Sequence, residues 1–110
     1  MSEHPLVQIT PTDALTQMKQ EAAVVIDVRE PHEFQKEHIA GAVSIPLDEL
    51  PLVQLPAGKT AILYCGAGKR SGSAAERLIE SGYRAVATLE GGIAAWKTEQ
   101  LPTVSSEAVR

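Results

Sequence analysis

Thr60-Ala61-Ile62-Leu63-Tyr64-Cys65-Gly66-Ala67-Gly68-Lys69-Arg70-Ser71 holds the only cysteine of the chain. The short apolar run 60–64 reads as a buried strand. Helix-forming residues follow, and the pattern predicts a helix over 71–81 with Gly82 as its C-terminal stop. Cys65 therefore falls at a glycine-rich strand-to-helix turn. Such a turn aims backbone N–H groups and a helix N-terminus at one point, and both favour negative charge there. Lys69 and Arg70 add two cations close by in sequence. A thiol in that setting ionises more easily than an isolated one. The stretch predicts a nucleophilic cysteine that also binds an anionic substrate.

The flanking sequence repeats the strand–helix alternation. Val7-Gln8-Ile9 is a short strand candidate, and Thr10 or Thr12 caps a helix that starts near Pro11 and runs to about Gln20. Ala23-Val24-Val25-Ile26 is a continuous, largely β-branched run, the mark of a strand covered on both faces. Asp27-Val28-Arg29 ends it. A short helix is expected over 31–37, a strand over 42–45 stopped by Pro46, a turn or short helix over 47–50, and a loop over 51–59. Ala85 to Leu89 reads as the last strand, and Gly91-Gly92 turns into a final helix over 93–97. The small, polar residues 103–110 are expected to form a flexible tail. The fold class expected is α/β, a mainly parallel central sheet with helices on both faces, in one domain whose core covers about 7–97. Ligands of such sheets bind beyond the carboxyl ends of the strands, and Cys65 sits at one of those ends.

Composition narrows the function. The chain has 110 residues, 44% of them apolar and 22% charged, which suits a single globular domain. A net charge of −4 argues against a nucleic-acid partner and makes Lys69-Arg70 a local cationic patch. One cysteine makes no internal disulfide, no Cys-x-x-Cys redox pair and no cysteine zinc site, so no metal is expected. No secretory signal pattern or membrane span is visible, and the expected address is the cytoplasm. Nothing in the composition calls for more than a monomer.

Four chemistries use a loop of this kind. Gly66-Ala67-Gly68-Lys69-Arg70-Ser71-Gly72 is a near miss to a dinucleotide fingerprint, with an extra residue before the third glycine. A nucleotide P-loop needs Ser or Thr directly after Gly-Lys, and Arg70 stands there. Cysteine phosphatases place their cysteine on a similar anion cradle, but their loop is one residue longer and usually begins after a histidine, where this chain has Tyr64. The shorter cradle suits a sulfur atom carried on the cysteine better than a phosphoryl group.

The fourth is sulfur transfer. The loop Cys65–Arg70 resembles the active-site loop of the rhodanese sulfurtransferases. Asp27-Val28-Arg29-Glu30-Pro31-His32-Glu33-Phe34 resembles the first motif of that family, His38 to Pro46 its second, and Gly91-Gly92-Ile93-Ala94-Ala95-Trp96 its closing motif. The motifs occur in family order and cover roughly residues 7–97.

The resemblance implies a rhodanese-like fold and a two-step reaction on thiosulfate or a similar small sulfur donor, with cyanide, a thiol or a protein as sulfur acceptor. Carried over, Cys65 is the nucleophile, the persulfide is the covalent intermediate, and no cofactor is needed. The backbone N–H groups of Gly66, Ala67, Gly68, Lys69 and Arg70 would cradle the sulfur, small side chains letting the backbone come close. Lys69 and Arg70 would attract the donor dianion. Cations at a helix N-terminus oppose its dipole, so a purely structural role suits them poorly. Asp27 and Arg29 are expected to give structural support, Asp27 by pinning the next loop and Arg29 by pairing with Glu33 or with substrate. His38 is not needed as a base, because the attacking group is already a thiolate. His4 and His32 are expected to be exposed, and Trp96 to anchor the last helix in the core. Family members with a second cysteine can resolve their own persulfide; here the sulfur must leave to an outside acceptor. A second reading of the same resemblance is a sulfur-delivery or protein-interaction module with little turnover on thiosulfate.

Overall fold

Ala23-Val24-Val25-Ile26-Asp27 and Thr60-Ala61-Ile62-Leu63-Tyr64 are the paired central strands of the sheet. The computed structural model describes residues 7–52, 58–67 and 70–106. In chain order these form β1 (Val7–Ile9), α1 (Pro11–Lys19), β2 (Ala23–Asp27), α2 (Pro31–Lys36), β3 (His38–Ile39), β4 (Val43–Ser44) and a 3₁₀ segment (Leu47–Leu52). Next come β5 (Thr60–Tyr64), α3 (Arg70–Glu80), β6 (Val86–Leu89), α4 (Gly92–Thr98) and β7 (Thr103–Val104). The main sheet is parallel, in the order β1-β6-β5-β2-β4. The β2–β5 register runs from Ala23 opposite Thr60 to Asp27 opposite Tyr64. It brings the carboxyl ends of both strands side by side, one residue before Cys65.

Side chains alternate between the faces of a strand, and here both faces are apolar because both are covered. Ile26, Ala61 and Leu63 pack with Ala74, Ala75 and Leu78 of α3 and Leu50 of the 3₁₀ segment. Val25, Ile62 and Tyr64 pack on the other side with Ala14 of α1, Ile39 of β3, and Ile93 and Trp96 of α4. The buried positions of α3, Ser71, Ala74, Ala75 and Leu78, follow the spacing of one helical face. The local signals act as expected at the helix ends. Thr10 Oγ1 accepts the Asp13 N–H at 3.2 Å and caps α1. After α3, the Gly82 and Tyr83 N–H groups donate back to Ile79 and Leu78 carbonyls.

Most element ends shift by a residue or so from the sequence reading, and three regions differ by more. The strand expected over 42–45 narrows to Val43–Ser44: the Ala42 N–H is taken by the Ile39 carbonyl in a turn, and Pro46 has no N–H to continue the ladder. The 3₁₀ segment runs past Leu50 and takes in Pro51 and Leu52 from the expected loop. The tail expected from 103 is corrected for residues 103–106. β7 pairs antiparallel with β3, Ile39 opposite Thr103 and His38 opposite Val104, and the Ser106 N–H donates to the Gln35 carbonyl at 2.8 Å. The cause lies upstream. Buried Trp96 donates its indole N–H to the Pro102 carbonyl at 2.8 Å and turns the chain back across the domain. Residues 53–57 of the expected loop and 107–110 of the expected tail lie outside the described residues. No helix among the described residues is long and apolar enough to cross a membrane.

Candidate active site

Cys65 follows the last residue of β5 directly and is 1% exposed. α3 begins at Arg70, one residue earlier than the sequence pattern predicts, and its first N–H donates to Cys65 Sγ at 3.1 Å. The thiol in turn points at Ser71 Oγ, 3.9 Å away. The N-terminus of α3 therefore faces the sulfur. An amide donor and the positive end of a helix together stabilise negative charge at that point.

The other side of the loop is held by α4. The Ile93 N–H donates to the Cys65 carbonyl at 3.0 Å and the Ala94 N–H to the Gly66 carbonyl at 3.1 Å. Gly92 makes this approach feasible. Its φ is +63°, and a Cβ there would lie 2.6 Å from both the Cys65 and the Gly66 carbonyl oxygens. The sequence marks Gly91-Gly92 as a helix start; Gly92 is also the surface on which the cysteine loop rests. A double glycine placed between a strand and a helix was the available signal.

Arg70 is the loop cation that the described residues include. Its Nη1 and Nη2 face Glu33 Oε1 and Oε2 at 3.2 and 3.4 Å, and Nη2 stands 3.8 Å from where a Cβ on Gly66 would lie. The guanidinium thus lies near the start of the loop, tied to α2. The bond from Arg70 holds the Glu33 carboxyl below the ordinary glutamate value. Glu33 raises Arg70 in return, with the nearby Cys65 contributing. Gly66 is partly buried and Ala67 exposed; Gly68 and Lys69 lie outside the described residues.

Arg70 also borders a hollow of about 320 Å³, whose apolar side is Val28, Pro31, Pro46 and Leu47. A larger hollow, about 570 Å³, lies along β1 and around the amino ends of β5 and β6. Size alone would favour the second, but its lining does not include Cys65 or the residues of the loop after it.

Asp27 and Arg29 are buried and bind each other. Arg29 Nη2 donates to Asp27 Oδ2 at 2.6 Å and Nε to Oδ1 at 3.0 Å. Asp27 Oδ1 also accepts the Arg29 backbone N–H at 2.9 Å, and Arg29 Nη2 donates to the Glu37 carbonyl at 2.6 Å. Arg29 was expected to pair with Glu33 or with substrate; instead it takes Asp27, and Glu33 takes Arg70. A buried guanidinium needs a buried partner, and Asp27, with 0% exposure, is the one within its own turn. The pair braces the ends of β2 and β5. Arg29 lies 5.7 Å from the centre of the Tyr64 ring, and Tyr64 Oη accepts the Ile39 N–H at 3.1 Å. Burial, with Asp27 adding to it, pushes the Tyr64 hydroxyl far above its ordinary range, so it stays a neutral structural group.

His38 is buried, stacked on Phe34 at 3.6 Å, with Nδ1 2.7 Å from the Phe34 carbonyl. It belongs to the α2–β3 connection. His32 is exposed and His4 lies outside the described residues. Among the described residues, no group of three or more His, Cys, Asp and Glu side chains is placed to hold a metal ion.

Comparison with known proteins adds to this geometry. Residues 10–99 match the family described as Rhodanese-like domain. An uncharacterized protein of Synechocystis sp. is 45% identical over 103 residues, which is 92% of this chain. The chain spans 58% of that relative's length. Thiosulfate sulfurtransferase PspE of Escherichia coli is 43% identical over 70 residues, 60% of this chain and 67% of that protein. The crystal structure of a rhodanese-related protein from Thermoplasma volcanium matches with a TM-score of 0.79 at 35% identity, covering 92% of this chain and 99% of the other.

Proposed function

The chain belongs to the rhodanese family, and we propose that it is a sulfurtransferase that carries sulfane sulfur as a persulfide on Cys65, from thiosulfate or a similar donor to cyanide or a thiol acceptor. The observation that carries the reading is the Arg70 N–H at 3.1 Å from Cys65 Sγ, at the end of a central strand and the start of α3.

In the first step the Cys65 thiolate attacks the outer sulfur of thiosulfate. A bond forms between Sγ and that sulfur, the bond to the sulfonate sulfur breaks, and its electron pair leaves on sulfite. In the second step the acceptor attacks the outer sulfur of the persulfide, and the pair of the breaking bond returns to Cys65. Both steps are displacements whose electrons balance without a cofactor. Each passes through negative charge on sulfur, which the Arg70 amide and the N-terminus of α3 are oriented to stabilise in advance. The backbone of Gly66, Ala67, Gly68 and Lys69 completes the cradle in this reading. Arg70, with Lys69, draws the donor anion in.

These 110 residues hold no second cysteine, so the sulfur leaves to an outside thiol or to an acceptor protein. We assign the chemistry to the cytoplasm, where a reducing environment keeps such a thiol available. The name of the Escherichia coli relative supports thiosulfate as the donor.

Intact-protein mass after brief incubation with thiosulfate tests the reading. A gain of one sulfur, lost on reduction and absent from Cys65→Ser, is the expected result. No gain, with Cys65 still open to alkylation, would exclude thiosulfate as the donor and favour a module loaded by a partner protein.

A further inference from the structure

Building on that sulfurtransferase reading, we propose that Glu33 is a positioning residue that competes with the sulfur donor for the Arg70 guanidinium, and so sets how strongly the site prefers a doubly charged donor.

Arg70 enters the site twice. Its backbone N–H is on the sulfur, and its guanidinium lies near Gly66, the residue directly after the cysteine. The fork is already occupied. Both carboxylate oxygens of Glu33 face both terminal nitrogens of Arg70, the geometry in which a donor's oxygens would also bind it. The contacts are long, at 3.2 and 3.4 Å, and the two side chains are 43% and 33% exposed. Charge-assisted bonds of full strength run about 2.7–2.9 Å, and exposed pairs of this kind are weak. The pair is thus made to be exchanged: it holds the fork near the loop and yields it to a ligand that brings two oxygens and more charge.

Glu33 does not leave with the exchange. Its Oε1 also accepts the Glu30 N–H at 3.0 Å, the bond that starts α2. The carboxylate is therefore fixed beside the site, and Arg70 holds it below the ordinary glutamate value, ionised at neutral pH. A donor must out-compete it. A dianion gains the most from Arg70 and feels the competition most, whereas a donor of lower charge relies less on the fork.

The test is steady-state sulfur transfer to cyanide with two donors that share the sulfane chemistry but differ in charge. Thiosulfate is a dianion that releases sulfite; methanethiosulfonate is a monoanion that releases methanesulfinate. Four proteins are compared: the parent, Glu33→Gln, Arg70→Ala and the double variant. Glutamine keeps the oxygen that accepts the Glu30 N–H, so the start of α2 survives. Glu33→Gln is expected to lower KM for thiosulfate by about 3- to 5-fold, the range that an exposed ion pair allows, with kcat changed by less than about 2-fold. The change for methanethiosulfonate is smaller, and in the Arg70→Ala background the effect of Glu33→Gln disappears. An unchanged or raised KM would overturn the proposal, as would the same fall without Arg70, which would reduce Glu33 to a distant charge.

If neither donor loads Cys65, the sulfurtransferase reading fails, and competition for Arg70 is judged by binding alone. Sulfate, a dianion with no chemistry here, is titrated into Cys65→Ser protein with and without Glu33→Gln. Tighter binding that depends on Arg70 upholds the competition, and unchanged binding refutes it.

Discussion

Replacing Gly92 by alanine tests how far the reacting centre depends on a backbone contact. The added Cβ would lie 2.6 Å from the carbonyl oxygens of Cys65 and Gly66, where ordinary contact begins at 3.4 Å. Relief therefore needs roughly 0.8 Å of separation between α4 and the loop, on the scale at which displacement near a reacting centre costs about 10²-fold in rate. Three contributions to stability add up. Holding alanine at a φ of +63° costs about 1 kcal/mol. The bonds from Ile93 to the Cys65 carbonyl and from Ala94 to the Gly66 carbonyl lengthen, and each is worth about 0.5–1.5 kcal/mol. The variant should lose about 2–4 kcal/mol in urea unfolding. Its persulfide formation should slow by about 10- to 100-fold. Iodoacetamide alkylation of Cys65 supplies a second readout, since a shifted Arg70 amide would change thiol reactivity even without a sulfur donor. Parent-like stability together with a parent-like rate of sulfur loading would refute the reasoning, because it would mean that the loop does not rest on α4.

Two further changes examine the frame around the site. Asp27→Asn leaves the Arg29 guanidinium buried without its counter-charge and should cost about 3 kcal/mol; a urea midpoint that implies less than about 1 kcal/mol would show that the pair is not what braces β2 and β5. Glu37 is held below the ordinary value of 4.5, first by the bond from Lys97 and then by that from Thr103. Its contribution is therefore complete above that value and lost as pH falls through the lower folded one. The carboxylate is well exposed, so Glu37→Gln should cost less than about 1 kcal/mol at pH near 7. The gap in melting temperature between the two proteins should close on acidification to about pH 3, and a gap that stays constant would rule out the charge.

The parts of this protein that were legible in its sequence are those whose cause is local. Ala23 to Ile26 and Thr60 to Tyr64 read as buried strands because a sheet covered on both faces demands unbroken apolar runs. The face of α3 at positions 71, 74, 75 and 78 follows from helical period alone. Cys65 stood out because a thiol, glycines and cations occupy consecutive places between a strand and a helix, so the chain places them together whatever the rest of the fold does.

What the sequence could not show depends on residues that meet only after folding. β3 and β7 have two residues each, too few to carry a period, and they exist because Trp96 returns the chain at Pro102. Glu33 and Arg70 are 37 positions apart. Nothing near either one specifies the other, and the pairing arises once β2 and β5 lie in register and set α2 beside the start of α3. Gly92 announced a helix start, yet its contact with the cysteine loop needs the packing of α4 against the end of β5. Periodicity and turn chemistry are properties of neighbouring residues. Which charges pair, and which backbone rests on which, follows from strand register and layer packing, which bring together residues that the chain keeps far apart.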